Sequence, residues 1–356
     1  MPDQFSVAVM QSAVTVVRTQ EDKDRVIREN LRRDAELLDY LAEDPLYAPR
    51  LAVFPEFFLT GVPEGMDGRK GRRLQDYRMI SMAIPSGYTD VLAAKAVEHG
   101  MYVVGNGFEA DESWPGRVFN CSYVIDPKGK VALKYRKVND MAGRVANTNT
   151  PDVYSEYARR HGDESFFPVL DTEIGRLACM TCFDVYFPEV ARILAMRGAE
   201  IIAMPTGEPY SLSPEMETLR KSRAIENSVY LACANHGETV GSPRPAGQQR
   251  GRSVILDYRG HVVQMIDGPG EAVTSGMVDL EALRKFRGSP HGLNLLPQVK
   301  SQFYARFYAA ADLWPLDAFL HEPISDKGDG TEVLKNVIRK RGARPAGPST
   351  GTQSRD

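Results

Sequence analysis

The sequence predicts an α/β protein built as a four-layer α-β-β-α sandwich, and three observations lead there. Short apolar runs of strand length alternate with helical stretches whose apolar residues recur every three or four positions. That alternation occurs twice along the chain, and each half closes on a hairpin with a Gly-containing turn. No sharp linker separates the halves, because Asn139 to Arg159 is polar yet keeps aromatic anchors at Tyr154 and Tyr157. Two sheets, each covered by helices on one side, then bury their bare faces against one another in a single body. The strand and helix pattern taken alone also fits a doubly wound sheet.

In the first half, Phe5 to Met10 reads as a buried strand, and Asp24 to Leu41 as a helix with Ile27, Leu31, Ala35 and Leu38 on one face. Leu51 to Phe54 is a short strand running into Pro55-Glu56, Tyr88 to His99 is a helix, and Met101 to Val104 is a strand. Cys121 to Ile125 and Lys130 to Tyr135 form a hairpin around the turn Asp126-Pro127-Lys128-Gly129. The second half follows the same grammar. It has strand Gly175 to Thr181, helix Pro188 to Arg197, strand Glu200 to Met204, helix Pro214 to Glu226 and strand Tyr230 to Ala234. Ser253 to Asp257 and His261 to Ile266 then flank Tyr258-Arg259-Gly260, placed in its half as the earlier turn is in the first.

With 356 residues, 42 % hydrophobic and 26 % charged, the chain can bury a large core, which excludes a disordered or collagen-like protein. Lys+Arg 44 against Asp+Glu 47 leaves a formal net charge of -3, so no whole-chain attraction for nucleic acid exists. The longest apolar runs, such as Glu200 to Pro205, are too short to span a membrane. Met1 to Gln11 lacks a basic segment followed by an apolar core, so the expectation is a cytoplasmic protein with no membrane partner. Cys121, Cys179, Cys182 and Cys233 lie in apolar strand-like stretches, where reduced thiols are expected. Cys179-x-x-Cys182 has no second Cys pair and no thioredoxin-like context, so neither a metal nor a cofactor is expected.

The chain divides into a folded body over 1–290, an aromatic-rich extension over 291–325 and a basic tail over 326–356. Phe303, Tyr304, Phe307, Tyr308, Trp314, Leu316 and Phe319 make the extension too apolar to leave in water, so it is expected to pack on the body or on a neighbouring subunit. Lys335 to Arg344 carries five basic residues and no acid before a Pro/Gly/Ser/Thr end, which reads as a flexible terminus.

Three chemically apt residues stand where strands end: Glu56, Lys137 and Cys182. Strand ends put side chains at the rim of a sheet, where a cleft can admit a substrate while the strands hold geometry. The order Phe54-Pro55-Glu56-Phe57, Tyr135-Arg136-Lys137 and Cys182-Phe183-Asp184-Val185-Tyr186-Phe187-Pro188-Glu189, with separations of 81 and 45 residues, resembles the three signature segments of the nitrilase superfamily of carbon–nitrogen hydrolases. The likeness runs from Phe5 to about Leu280. It implies the α-β-β-α sandwich and a homodimer or larger assembly. It also implies Cys182 as nucleophile, Glu56 as general base, and Lys137 with the Phe183 backbone N–H at the oxyanion. Many members carry a second glutamate after the lysine; Val138 to Asp152 contains none, and Glu156 is the next candidate.

The resemblance implies a thiol hydrolase acting on a small linear amide through an acyl-enzyme and releasing ammonia or an amine. Cys182-Phe183-Asp184 lacks the Cys-Trp-Glu of nitrile-hydrolysing members. N-carbamoyl compounds, nitriles, acyl transfer and a non-catalytic assembly role stay open as alternatives. Arginines that would anchor a substrate carboxylate are missing after the nucleophile, unless Arg220, Arg223 or Arg252 supplies one. Phe57, Tyr186 and Tyr210 are expected to wall the substrate pocket.

Overall fold

The computed structural model describes residues 3–43, 48–63, 73–209, 213–242, 249, 251–311 and 313–342. One six-stranded sheet comes largely from the first half: β1 (Gln4–Gln11), β3 (Pro49–Val53), β4 (Tyr102–Glu109), β5 (Phe119–Ile125) and β6 (Val131–Arg136), with β14 (Ala272–Asp279) on the far edge. Its order is β14-β1-β3-β4-β5-β6. The other sheet runs β13-β12-β10-β9-β8-β7. Those strands are β7 (Val169–Thr172), β8 (Gly175–Cys179), β9 (Ile201–Thr206), β10 (Tyr230–Asn235), β12 (Val254–Leu256) and β13 (Val262–Met265). A small parallel pair joins β2 (Ala13–Thr15) to β11 (Glu238–Val240).

Strand alternation sorts the side chains into two cores. Val7, Val9, Leu51, Val53 and Val104 meet Leu177, Cys179, Ile201, Ala203 and Ala232 between the sheets. Their chain neighbours Ala8, Met10, Ala52, Phe54 and Val103 point the other way, onto α1 (Lys23–Ala42) and α3 (Gly87–His99). On the opposite side α5 (Pro188–Met196) and α6 (Ser213–Asn227) cover the second sheet through Val190, Ala191, Leu194, Met216 and Ala224. The result is the expected sandwich of four layers.

The two hairpins also match in detail. Asp126 Oδ1 accepts the Lys128 and Lys130 N–H groups, both at 2.9 Å, and Gly129 takes φ 80°. Asp257 Oδ1 accepts Arg259 N–H at 2.8 Å and His261 N–H at 2.9 Å, with Gly260 at φ 76°. In both, the aspartate replaces backbone acceptors and the glycine takes a left-handed conformation that costs other residues energy.

The short helices α2 (Leu74–Ile80) and α4 (Tyr154–His161) lie in the first half's connections, and α7 (Leu280–Gly288) follows β14. Beyond it, α8 (Ser301–Ala310) is exposed at every position, so Phe303, Tyr304, Phe307 and Tyr308 do not pack on this subunit's core. The part of the extension that docks is the next stretch, where Leu320 joins a cluster with Trp114, Phe119, Val153, Tyr157 and Phe166. Within the basic tail the chain forms α9 (Lys327–Gly342), most of it exposed. Its start is fixed by Asp329, whose carboxylate accepts Ser325 N–H at 2.7 Å and Ser325 Oγ–H at 2.9 Å. The rest of the basic tail lies outside the described residues. Among the described residues no helix is long and apolar enough to cross a membrane.

Candidate active site

The candidate site lies where strands of both sheets end. Glu56 follows β3 and is almost fully buried. Its carboxylate is held from three directions: Asn120 Nδ2 (2.8 Å) and Lys137 Nζ (2.9 Å) reach Oε1, and Gly207 N–H reaches Oε2 (3.1 Å). Its backbone is fixed as well. The Glu56 N–H donates to Thr206 O at 3.3 Å, and its carbonyl meets His236 Nε2. Asn106 on β4 sets the neighbouring geometry: its Oδ1 accepts Phe57 N–H at 3.0 Å while its Nδ2 donates to Asn120 Oδ1 at 2.9 Å and Ser122 Oγ at 3.0 Å. A buried carboxylate with this many donors stays in one rotamer.

Lys137, one residue past β6, is buried with its ammonium between two carboxylates, Glu56 at 2.9 Å and Asp140 at 2.8 Å. Burial acts to lower its pKa, but Asp140 and then Glu56 outweigh that and hold it well above the ordinary lysine value. The lysine therefore carries its charge throughout the physiological range. Asp140 is itself oriented by Asn147, whose Nδ2 donates to Oδ2 at 2.6 Å.

Cys182 opens a tight 3-10 turn, Cys182–Tyr186, at the end of the β8 connection and sits at φ 44°. That left-handed conformation costs a non-glycine residue about 1–3 kcal/mol, and the elbow it makes turns the side chain out of the sheet. Of the four cysteines it alone keeps partial exposure. Its thiol pKa is pushed up to about 12, first by desolvation and then by the Glu56 charge; Lys137 and the Gly207 N–H pull the other way. The turn is locked by Asp184, buried one residue beyond Phe183. Its Oδ2 accepts Tyr135 O–H at 2.7 Å and Thr181 N–H at 3.1 Å, and its Oδ1 accepts Asn139 N–H at 2.9 Å. One carboxylate thus ties the residues flanking Lys137 to the residue before Cys182.

The structure therefore brings Glu56, Lys137 and Cys182 into one electrostatically coupled group. It does not bring Glu156 there. Glu156 lies on α4, where Arg159 Nε (2.8 Å) and Arg160 Nε (2.6 Å) hold its carboxylate, and the acid beside Lys137 is Asp140. A helix face carrying two arginines three and four residues on satisfies Glu156 locally. The Phe57 ring is also elsewhere than expected: it is buried in the helix-side core, stacked on Phe108 at 4.3 Å. Tyr186 keeps partial exposure, packs on Phe183 with centroids 4.9 Å apart, and lies within the field of Cys182. Tyr210 lies outside the described residues.

The three arginines considered as carboxylate anchors are all engaged. Arg220 pairs with buried Glu208, Arg223 donates to Val185 O (3.0 Å) and Glu226 (2.9 Å), and Arg252 meets Glu217 at 2.7 Å. Asp39, Glu98 and His99 on the outer helix layer bring three metal-ligating atoms within 4.8 Å of one another. The Lys95 ammonium already holds that cluster, 2.8 Å from both carboxylates.

Residues 14–288 match the sequence pattern of the family described as carbon-nitrogen hydrolase. The chain belongs to the carbon–nitrogen hydrolase family and is an enzyme of that type. Omega-amidase NIT2-A of Xenopus laevis is 28 % identical over 209 residues, covering 57 % of this chain and 71 % of that protein. A nitrilase of Pyrococcus abyssi is 30 % identical over 239 residues, covering 67 % and 80 %. Among solved structures, Nit3 of Saccharomyces cerevisiae, a member of branch 10 of the nitrilase superfamily, superposes with a TM-score of 0.63 at 23 % identity, covering 81 % of this chain and 95 % of that one.

Proposed function

We propose that the protein hydrolyses a small linear amide to a carboxylic acid and ammonia through a thioester on Cys182. The observation that carries this reading is the buried Lys137 ammonium, bridging Glu56 and Asp140 within the field of the Cys182 thiol. An amide carbonyl needs a stronger nucleophile than a neutral thiol. Cys182 Sγ attacks the carbonyl carbon as its proton passes to Glu56, so free thiolate need not accumulate. Lys137 and the Phe183 N–H stabilise the oxyanion. As the intermediate collapses, Glu56 returns the proton to the leaving nitrogen, ammonia departs, and the acyl group remains on sulfur. Glu56 then takes a proton from water attacking the thioester. A second intermediate expels the thiol, which regains that proton, and the acid leaves.

The Lys137 charge is what makes this work beside a carboxylate. It offsets Glu56 while the base is ionised, and it gains a new anion as the carbonyl oxygen becomes negative. Asp140 keeps the ammonium aimed. Because Arg220, Arg223 and Arg252 are committed to other partners, the reading favours an acyl group without a carboxylate gripped by those arginines. Tyr186 is proposed to line the acyl pocket, and the exposed aromatic face of α8 supports assembly with a second copy.

Incubation with primary amides, N-carbamoyl compounds and nitriles, following ammonia release, tests the substrate class. Turnover confined to amides supports the reading. Turnover of nitriles alone, or of no amide with the thiol intact, overturns it.

A further inference from the structure

The family pattern ends at residue 288, yet the chain beyond it returns to the loop that carries Asp140. The Trp314 Nε1–H donates to Asp152 Oδ1 at 3.0 Å. Alongside, Asp317 N–H donates to Pro151 O at 2.9 Å and Phe319 N–H to Asp152 O at 3.0 Å, so the two segments run together through main-chain bonds. The Asp317 carboxylate caps the contact by accepting Ser155 N–H at 2.8 Å. From below, the Arg117 guanidinium donates to the carbonyls of Phe319 (2.7 Å) and Leu320 (2.6 Å). Farther on, Thr331 of α9 lies so close to Gly143 that a side chain at Gly143 would collide with its hydroxyl. Leu313 to Thr331 therefore grips the loop between Lys137 and α4 at two places.

That loop sets the surroundings of Lys137. Thr150 N–H donates to Lys137 O at 3.4 Å, and the 3-10 turn Thr150–Val153 runs directly from this bond to the gripped Asp152. At the other end, Asn147 orients Asp140 and Asp140 aims Lys137. Asp152 is buried, so its carboxylate depends on protein donors. Removing the indole donor would leave it seeking water and loosen the turn that the Lys137 carbonyl accepts from.

We infer that Leu313–Thr331 is part of the catalytic apparatus of this chain, with Trp314 and Asp152 as positioning residues that hold Asp140 and Lys137 in register with Cys182. The effect is transmitted through a short bonded path, and small misplacements of catalytic groups carry large kinetic penalties. The inference rests on the proposed amide hydrolysis only for one of its two readouts.

The test uses the full chain and four variants. Trp314→Phe keeps a smaller aromatic ring and removes the donor; Asp152→Ala removes the acceptor; Asp152→Asn keeps an oxygen that can accept the indole N–H; the fourth is the Trp314→Phe/Asp152→Ala double. Each is assayed for kcat and KM on an amide and for the rate at which iodoacetamide alkylates Cys182. Trp314→Phe and Asp152→Ala are each expected to lower kcat about 10- to 100-fold with KM within about threefold, since positioning and not binding is lost. Both should slow alkylation several-fold, because a less well placed Lys137 raises the thiol pKa. Asp152→Asn should stay within about threefold of wild type. The double variant should lose no more than the worse single, as expected for partners in one bond. Wild-type kcat and alkylation rate in Trp314→Phe overturn the inference, as do losses that multiply in the double variant. If Trp314→Phe fails to fold, Asp152→Ala against Asp152→Asn makes the same comparison, and equal losses in those two overturn it. If no amide is turned over, the function reading fails on its own, and the alkylation rates still decide the role of Trp314.

Discussion

Replacing Asp140 strips the Lys137 ammonium of one of its two buried carboxylates. The Lys137 ammonium has carboxylate oxygens at 2.8 Å from Asp140 and 2.9 Å from Glu56, and all three side chains are at most 4 % exposed. At an effective dielectric near 20 the Asp140 contact alone represents about 6 kcal/mol of gross attraction. Removing one partner from a buried ion pair costs about 3–5 kcal/mol net, and since Glu56 remains, about 3 kcal/mol is expected for Asp140→Ala. The kinetic loss should be comparable, because in the proposed mechanism the charge that meets the oxyanion is no longer aimed. A barrier raised by about 3–4 kcal/mol lowers kcat about 10²- to 10³-fold. Asp140→Asn keeps the volume and one acceptor, so it should destabilise less than alanine while still losing most activity. Glu156→Gln, by contrast, touches a solvent-facing group paired with Arg159 and Arg160 and should leave kcat within about twofold. The assay is steady-state amide hydrolysis with thermal unfolding in parallel. Near-normal turnover in Asp140→Asn together with severe loss in Glu156→Gln at unchanged Tm would show that Glu156, not Asp140, serves the site.

Further expectations concern the thiol, the base and the turn. Cys182→Ala should abolish turnover at unchanged Tm, whereas Cys179→Ala, in the core between the sheets, should cost stability and little activity; equal activity losses without unfolding would point to a dithiol. Because burial and Glu56 raise the Cys182 pKa to about 12, its alkylation should keep accelerating from pH 7 to 10, and a plateau near pH 7 would contradict this. Glu56→Gln removes one of those raising charges, so it should shift the alkylation profile to lower pH while abolishing hydrolysis; an unshifted profile counts against the coupling. Desolvation raises the Asp184 pKa from 3.8 to about 6, so the folded state binds this proton more tightly than the unfolded chain does. Its favourable contribution is therefore full below about pH 4 and lost as pH rises through 6, about 3 kcal/mol in all. Wild-type stability measured relative to Asp184→Asn should decline over that window, and a rise would be the wrong sign.

Much of the fold was legible because both halves use the same local grammar. The run from Phe5 to Met10 falls within β1, the spacing of Ile27, Leu31 and Leu38 marks the buried face of α1, and the two Asp-to-Gly turns close hairpins of the same design. What local pattern does not contain is the long-range pairing of β1 with β14, with Gln4 opposite Asp279. The same holds for the return of Trp314 onto Asp152. α9 escaped because a run of basic residues reads as solvated terminus, although the Asp326-to-Asp329 spacing holds the signal of a helix start.

At the candidate site, strand-end placement singles out Glu56, Lys137 and Cys182, which the fold groups together, whereas the expectation of a second glutamate does not point to Asp140. A short aspartate three residues after Lys137, in a loop that doubles back, reaches the ammonium as well as a longer side chain farther along would. Phe57 misled for a related reason: at φ 56° its backbone turns the ring toward Phe108, and no periodicity reveals a left-handed residue in advance. The polar residues inside β4 and β5, Asn106, Asn120 and Ser122, were the overlooked signal. Such groups in otherwise apolar strands need buried partners, and here they form the network around Glu56.

In the proposed reaction, carbon–nitrogen cleavage passes through sulfur on Cys182. Rapid acid quench of wild-type enzyme during turnover of an amide, followed by peptide mass analysis, tests it directly. An added acyl mass is expected on the peptide containing Cys182, present during turnover, gone when substrate is exhausted, and absent from Cys182→Ala. Hydrolysis that proceeds with no such adduct, and at an undiminished rate in Cys182→Ala, would contradict it.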